Sequence, residues 1–351
     1  MSKIITNPGY SLDDLSIVPP RSSKIVHRSD VNPYYKDFAY IVNERLDVHE
    51  NLPIFTAPMP SVIDENLIDT YIENKIVPII PRTIDFDTRI NYAVNNLYFV
   101  SFSLQESDYF IKNANNLLCY DRDYKICIDV ANGGMDSLFV QITKLKDLYS
   151  DKMTIMSGNV ANADTYKALN WCGCDYVRVS IGTGSACTTA TNLGIYQAMG
   201  SLLFDCTNLG LKAKIIADGG INNYRNAFKA LALGANYVML GGWLNSLKNS
   251  PGKIETHQGI EYKMHYGMAS IEGQKMLGKE NEFRAPEGKI AWNKMSNLTI
   301  ADFTKEFIEY LQSCMSYCGA SNLEQFIGKQ TLQVLSPMAA RQFNAVQEVN
   351  P

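Results

Sequence analysis

Residues 181–189 read IGTGSACTT: two glycines and a serine run directly into a cysteine followed by two threonines. Glycines let backbone N–H groups approach a ligand closely, and consecutive N–H groups form a cradle for an anion. A cysteine becomes a nucleophile when its thiolate is reachable or a neighbouring base removes the proton. Cys187 is thus a candidate nucleophile beside an anion-holding loop, with Ser185 ahead of it and Thr189 behind. The plainer reading is a turn next to a buried thiol, the commonest fate of a cysteine.

Similar clusters recur downstream of short apolar runs: DVANGG (129–134), SGNV (157–160), ADGG (217–220) and GG (241–242). Gly219, Gly220, Gly241 and Gly242 are candidates to hold a phosphate together with Ser185. The charge of Asp218 would repel phosphate, so a carboxylate there suits ribose hydroxyls instead. Tyr266 and the GMAS run (267–270) could hold a planar base through backbone groups. Glu287, in RAPEGK, is the carboxylate to pair with a catalytic hydroxyl; alone, it reads equally as a solvated charge.

These clusters need a scaffold that brings them to one rim. Eight apolar runs precede helix-length segments: 53–59, 75–80, 98–103, 125–130, 154–160, 176–181, 214–220 and 237–242. Their β-branched and aromatic content suits strands buried on both faces. Helical patterns such as SLFVQITKLKDLY, ADTYKALNWCG and YRNAFKALALGA lie between them. Eightfold strand–helix alternation predicts a (β/α)8 TIM barrel, whose active site lies at the carboxyl ends of the strands. An open doubly wound sheet is the alternative, but no G-x-G-x-x-G follows the first strand. After Gly242 the next strong helical pattern begins near residue 300, and the interval is rich in Asn, Ser, Gly, Lys and Glu. Long loops in compact domains are functional or disordered, and leaving the active rim this one reads as a flap over 243–300. The expectation is a single barrel domain over 1–351 containing that flap.

Bulk composition removes several classes. The formal net charge is −4, no basic stripe exists, and His27, His49, His257 and His265 are scattered, which speaks against nucleic acid as a partner. The opening MSKIITNPGYSLDDL lacks the apolar core of a signal peptide, and no apolar run is long enough to span a membrane. Eight cysteines are too sparse for a disulfide scaffold, and the pairs Cys172/Cys174 and Cys314/Cys318 lack a second ligand cluster. The expectation is a cytoplasmic protein with reduced thiols.

Taken together, the motifs resemble those of the IMP dehydrogenase/GMP reductase family over nearly the whole chain. The pieces are GYSLDDLSIVP, APMPSV, DVANG, GNV, IGTGSACTT, ADGGI, KALALGA, VMLGG and YGMAS. The resemblance implies a barrel, usually a homotetramer, in which the loop cysteine attacks C2 of a purine nucleotide. Dehydrogenases of the family generally insert a regulatory (CBS-type) domain between barrel units two and three. Here residues 81–97 are all that separates those runs. The flap reads NEFRAPEGK rather than carrying a water-activating Arg-Tyr pair, and both this and DVANG are similar to the reductase branch. That branch uses NADPH to convert GMP to IMP and ammonia through a covalent thioimidate.

Carried over residue by residue, the resemblance makes Cys187 the nucleophile and Thr189 with Glu287 the proton-handling pair. Ser185, Gly219, Gly220, Gly241, Gly242 and Tyr266 would hold the phosphate, Asp218 the ribose, and Gly267, Met268 and Ala269 the base. Arg82, Asp129, Val130, Ala131, Arg284, Ala285 and Glu287 would face the dinucleotide. Gly182, Gly184 and Cys187 would supply a monovalent-cation loop, with potassium as the ion. Four positions depart from the family pattern: Ser180 replaces a common glycine, Thr183 a proline, Ala190 an arginine and Arg82 a lysine. A dehydrogenase lacking the regulatory domain, an FMN-binding barrel and a relative that only binds nucleotide remain alternatives.

Overall fold

The structure, a computed structural model, describes residues 5–42, 45–113, 123–278, 285 and 287–345. The eight apolar runs all contain strands of one parallel sheet: β1 (Ile54–Thr56), β2 (Ile79–Ile80), β3 (Phe99–Phe102), β4 (Tyr124–Asp129), β5 (Met153–Val160), β6 (Tyr176–Val179), β7 (Lys214–Asp218) and β8 (Tyr237–Leu240). Neighbours pair in chain order, and β8 pairs back onto β1 through Val238↔Ile54, Met239↔Phe55 and Leu240↔Thr56. Between β1 and β2 the ring is completed by a bridge at Phe55↔Val77, where Thr56 N–H donates to the Val77 carbonyl at 3.0 Å. The barrel is closed, as the sequence pattern predicts, and closure leaves no sheet edge exposed.

A helix follows every strand. Polar caps start several of them: Ser103 with Glu106 ahead of Leu104–Lys112, Asn162 ahead of Ala163–Trp171, Asn223 ahead of Tyr224–Leu233, and Thr299 with Asp302 ahead of Ile300–Tyr317. Each cap accepts from an N–H that the first helical turn leaves unpaired. None of the helices among the described residues is long and apolar enough to cross a membrane.

The amino-terminal end of the barrel is plugged. A hairpin of Tyr35–Val42 and Arg45–Asn51 places the Phe38 ring 5.8 Å from Phe55 and 5.6 Å from Phe99. Lys125 anchors that hairpin by donating to the carbonyls of Ala39 and Leu97, each at 2.8 Å. Its burial lowers the ammonium pKa to about 8. Among the described residues this hairpin covers the amino-terminal end of the barrel, opposite the carboxyl rim.

The interval 243–300 is more than a loop. It carries an antiparallel sheet of β9 (Ile254–His257), β10 (Ile260–His265) and β11 (Ala291–Lys294). Gln258 and Gly259, with φ of 51° and 78°, form the turn between β9 and β10, as two-residue hairpins require. Buried Lys263 ties β10 to the segment after β8: its ammonium donates to the Leu247 carbonyl, and to those of Lys248 at 3.2 Å and Ser250 at 2.7 Å. This part of the flap is therefore tied to the chain that leaves β8.

Candidate active site

The cysteine loop leaves β6 through Ser180, which holds φ at 128°, a value that side-chain-bearing residues rarely adopt. Its hydroxyl lies 2.6 Å from that of Thr183. Two departures from the family pattern thus meet: where glycine is common and proline usual, this chain has a hydroxyl pair that braces the turn. Gly182 follows at φ 82°, and a Cβ there would come within 2.8 Å of the Ile195 carbonyl, so only glycine fits. Cys187 N–H then donates to the Gly184 carbonyl at 3.1 Å, closing a tight turn. The thiol emerges half-buried, and its S–H donates to Thr189 Oγ1 at 3.2 Å.

The end of the flap pairs with this loop. Thr188 N–H donates to the Glu287 carbonyl at 3.1 Å, and Lys289 N–H to the Ala186 carbonyl at 2.9 Å, with Cys187 opposite Gly288. A Cβ on Gly288 would stand 3.0 Å from Ser270 N and 3.2 Å from the Ala269 carbonyl carbon. That glycine lets the strand slide between the cysteine loop and the Met268–Ser270 segment. As a result Cys187, Thr189 and Glu287 all line one cavity.

The cavity has a volume of about 730 Å³, within the range of small-molecule sites. One wall is the glycine cradle. Gly219 and Gly220 take φ of 100° and 71°, and a Cβ on Gly219 would lie 2.8 Å from Thr183 Oγ1. Across from them, Ser185 Oγ is 3.3 Å from where a Cβ on Gly242 would stand. Gly241, Gly267, Met268 and Ala269 also line the space. Tyr266 is not part of that lining: its hydroxyl turns outward and donates to Met276 Sδ at 3.2 Å. The preceding residue, His265, faces the cradle in its place.

The mouth of the barrel holds a chain of charges. Arg178, on β6, donates through Nη1 to Asp129 at 2.6 Å and through Nε to Asp218 Oδ2 at 2.9 Å. Arg82 takes the other Asp129 oxygen at 3.3 Å, and Asn159 donates to Asp218 Oδ2 at 2.7 Å. Burial pushes the Asp129 carboxyl up, but Arg178 and Arg82 outweigh it and hold the group below the usual carboxylate range. Both Asp129 oxygens are thus engaged within the protein. Among the described residues the Asp218 contacts from Arg178 and Asn159 both fall on Oδ2.

Arg82, Asp129, Val130 and Ala131 line the same cavity as Cys187. Ala285 is exposed and outside the lining, and Arg284 lies outside the described residues. Arg178, Asn159 and His265 escape a reading of the sequence. Arg178 carried a signal there as the single charge inside the apolar run YVRVSI, and Asn159 as part of the SGNV cluster, but neither pointed to its partner.

These features define a closed (β/α)8 barrel with a half-buried thiol, a glycine cradle and a carboxylate at its carboxyl rim. The sequence profile described as IMP dehydrogenase / GMP reductase domain matches residues 9–344, and the chain belongs to that family. The GMP reductase of Caenorhabditis elegans is 29% identical over 345 residues, covering 94% of this chain and 93% of that protein. That of Buchnera aphidicola (subsp. Acyrthosiphon pisum, strain Tuc7) is 29% identical over 344 residues, covering 95% and 96%. The GMP reductase of Escherichia coli O157:H7 is 33% identical over 222 residues, 62% of this chain and 63% of that protein.

Proposed function

We propose that the chain catalyses the NADPH-dependent reductive deamination of GMP to IMP and ammonia. The observation that carries this reading is the placement of the Cys187 thiol, its Thr189 partner and the flap residue Glu287 around one cavity with the glycine cradle. The relatives' names support the same choice within the family.

In this reading Ser185, Gly219, Gly220, Gly241 and Gly242 bind the phosphate, and Asp218 Oδ1 accepts from the ribose hydroxyls. Met268 and Ala269 present backbone groups to the base edge. Anchoring the phosphate sets C2 of the purine against Cys187, the orientation effect that contributes several kcal/mol to such reactions. The Cys187 sulfur forms a bond to C2 and gives its proton to Thr189. Thr189, paired with Glu287, passes a proton to the exocyclic amine, and ammonia departs as the C2–N bond breaks. A thioimidate on Cys187 remains. NADPH, when bound, supplies the hydride that adds to C2. The C2–S bond then breaks, IMP leaves, and the thiolate regains a proton from solvent.

Arg82, Asp129, Val130 and Ala131 are the residues proposed to face the dinucleotide. Arg82 fits that task, because its Nε is buried without a hydrogen-bond partner among the described residues and awaits one from a ligand. Potassium would be held by the carbonyls of Gly182, Gly184 and Cys187; the Gly184 carbonyl keeps one lone pair for it beside the Cys187 N–H. A cytoplasmic homotetramer and a single barrel domain complete the reading. Leu193, Ile195 and Tyr196, exposed just past the cysteine loop, support self-association.

Glu287→Gln separates proton handling from simple positioning. Ammonia release measured without NADPH should slow by roughly 10²–10⁴-fold, the usual worth of a positioned proton transfer. Reduction of a preformed thioimidate should stay near the wild-type rate. Equal slowing of both steps would assign Glu287 a positional role only.

A further inference from the structure

His265 ends β10 at the cradle, and nothing in the reaction above employs it. The residue is 3% exposed. The Cε1 and Cδ2 atoms, which flank Nε2, stand 3.5 and 3.7 Å from the positions a Cβ would take on Gly241 and Gly242. Nε2 is therefore aimed at the glycine pair, where the phosphate of the proposed substrate would sit. The opposite nitrogen, Nδ1, lies 3.1 Å from Ser61 Oγ.

Ser61 suits a ring that changes charge. Its hydroxyl also reaches the Tyr266 carbonyl at 3.3 Å. With a neutral ring the hydroxyl donates to Nδ1. With a protonated ring it accepts from Nδ1–H and turns its own hydrogen to the Tyr266 carbonyl. Both states are satisfied without moving a heavy atom. In the free protein burial lowers the imidazole pKa to about 4, so the ring is neutral near pH 7. A phosphate dianion within hydrogen-bond reach favours the charged form and raises that value.

Among the described residues no side chain already supplies such a partner. On its own strand, Lys263 is spent on backbone carbonyls, and Glu261 sits four residues away at the exposed end. Across β11 the residue opposite His265 is Ala291. On the Ser61 segment, Asp64 is turned to the Asn66 N–H at 3.0 Å. The remaining charges of the cavity are Arg82, Asp129, Arg178, Asp218, Glu287 and Lys294. None of them enters the shift, which comes from burial alone.

We propose that His265 is a proton-linked contact for the nucleotide's phosphate, its ring taking one proton from solvent as the dianion docks against Gly241 and Gly242. The proposal rests on the nucleotide reading of the site and adds a specificity residue to it. A ligand without the phosphate gains nothing from His265.

The test is calorimetric titration of the full chain with GMP in two buffers of different ionisation enthalpy, for wild type, His265→Phe and His265→Gln. Wild type should take up protons on binding, and its affinity should fall several-fold between about pH 6.5 and 8.5. Both variants should lose the uptake, bind GMP more weakly at the lower pH, and bind guanosine as wild type does. The phosphate's own second ionisation, near pH 6, is common to all three proteins, so the difference isolates His265. If the phenylalanine variant does not fold, the glutamine variant decides. Equal proton uptake in wild type and variants would overturn the proposal while leaving the nucleotide reading intact. Failure of wild type to bind GMP at any pH would overturn both.

Discussion

Cys187→Ala is expected to lower turnover by roughly 10⁴-fold or more, because nucleophiles that act within a concerted group carry most of the rate. GMP affinity should stay within a few-fold of wild type. The cradle of Ser185 and the two glycine pairs does not use the thiol, and the turn that presents residue 187 is made by backbone groups: Cys187 N–H to the Gly184 carbonyl, and the Thr188 and Lys289 N–H groups to the flap and loop. Steady-state rates combined with nucleotide titration check both halves. Turnover within tenfold of wild type would remove the covalent step. A large loss of affinity would mean that the thiol also shapes the pocket.

The second large effect belongs to Arg178. It bridges Asp129 and Asp218, and its side chain is 9% exposed against 14% and 12% for the two carboxylates. Arg178→Met leaves two nearly buried carboxylates short of their main partner, which costs about 3–5 kcal/mol for pairs of this kind. For a chain of this length that corresponds to a melting-point drop of about 4–7 °C. The sign of the pH dependence follows from Asp129. In wild type its pKa is depressed, so its contribution is present at neutral pH and is lost only as pH falls through that low value. In the variant burial acts with less opposition and raises the group, so protonation relieves the unpaired charge as pH drops. The deficit relative to wild type should therefore shrink from about pH 8 towards pH 5. Arg178→Lys should fall between the two, since one ammonium cannot serve both carboxylates in a fixed fork. An unchanged melting point, or a deficit independent of pH, would contradict this account of the network.

The same residue shows what was legible in the sequence and what was not. The barrel could be read because each strand is short, apolar on both faces and closed by small residues, a pattern that burial in a parallel sheet enforces. The run at 75–80 supplies only Ile79–Ile80 as a strand, with Val77 making the bridge that shuts the ring. The flap sheet was not legible. β9 is exposed along its whole length, and β10 is held by the buried ammonium of Lys263 rather than by apolar alternation. The glycine cradle could be expected because glycines cluster visibly at strand ends. Tyr266 and His265 are adjacent in sequence, yet His265 ends β10 facing the cavity while Tyr266, just past the strand, turns outward, and a one-residue difference moves a side chain to the other face. Arg178 and Asn159 matter through partners on other strands, Asp129 and Asp218, and such pairings appear only once the barrel is closed. The pairing of Ser180 with Thr183 is of the same kind: each looks like a loss from the family pattern when taken singly, and the 2.6 Å contact makes them one feature.

The most direct test of the central claim is nicotinamide absorbance with the purified chain, GMP and NADPH, with ammonia assayed in the same mixture. The account predicts NADPH loss that requires GMP and matches ammonia release one for one. No GMP-dependent loss, or NADH formation from IMP and NAD⁺ instead, would contradict it.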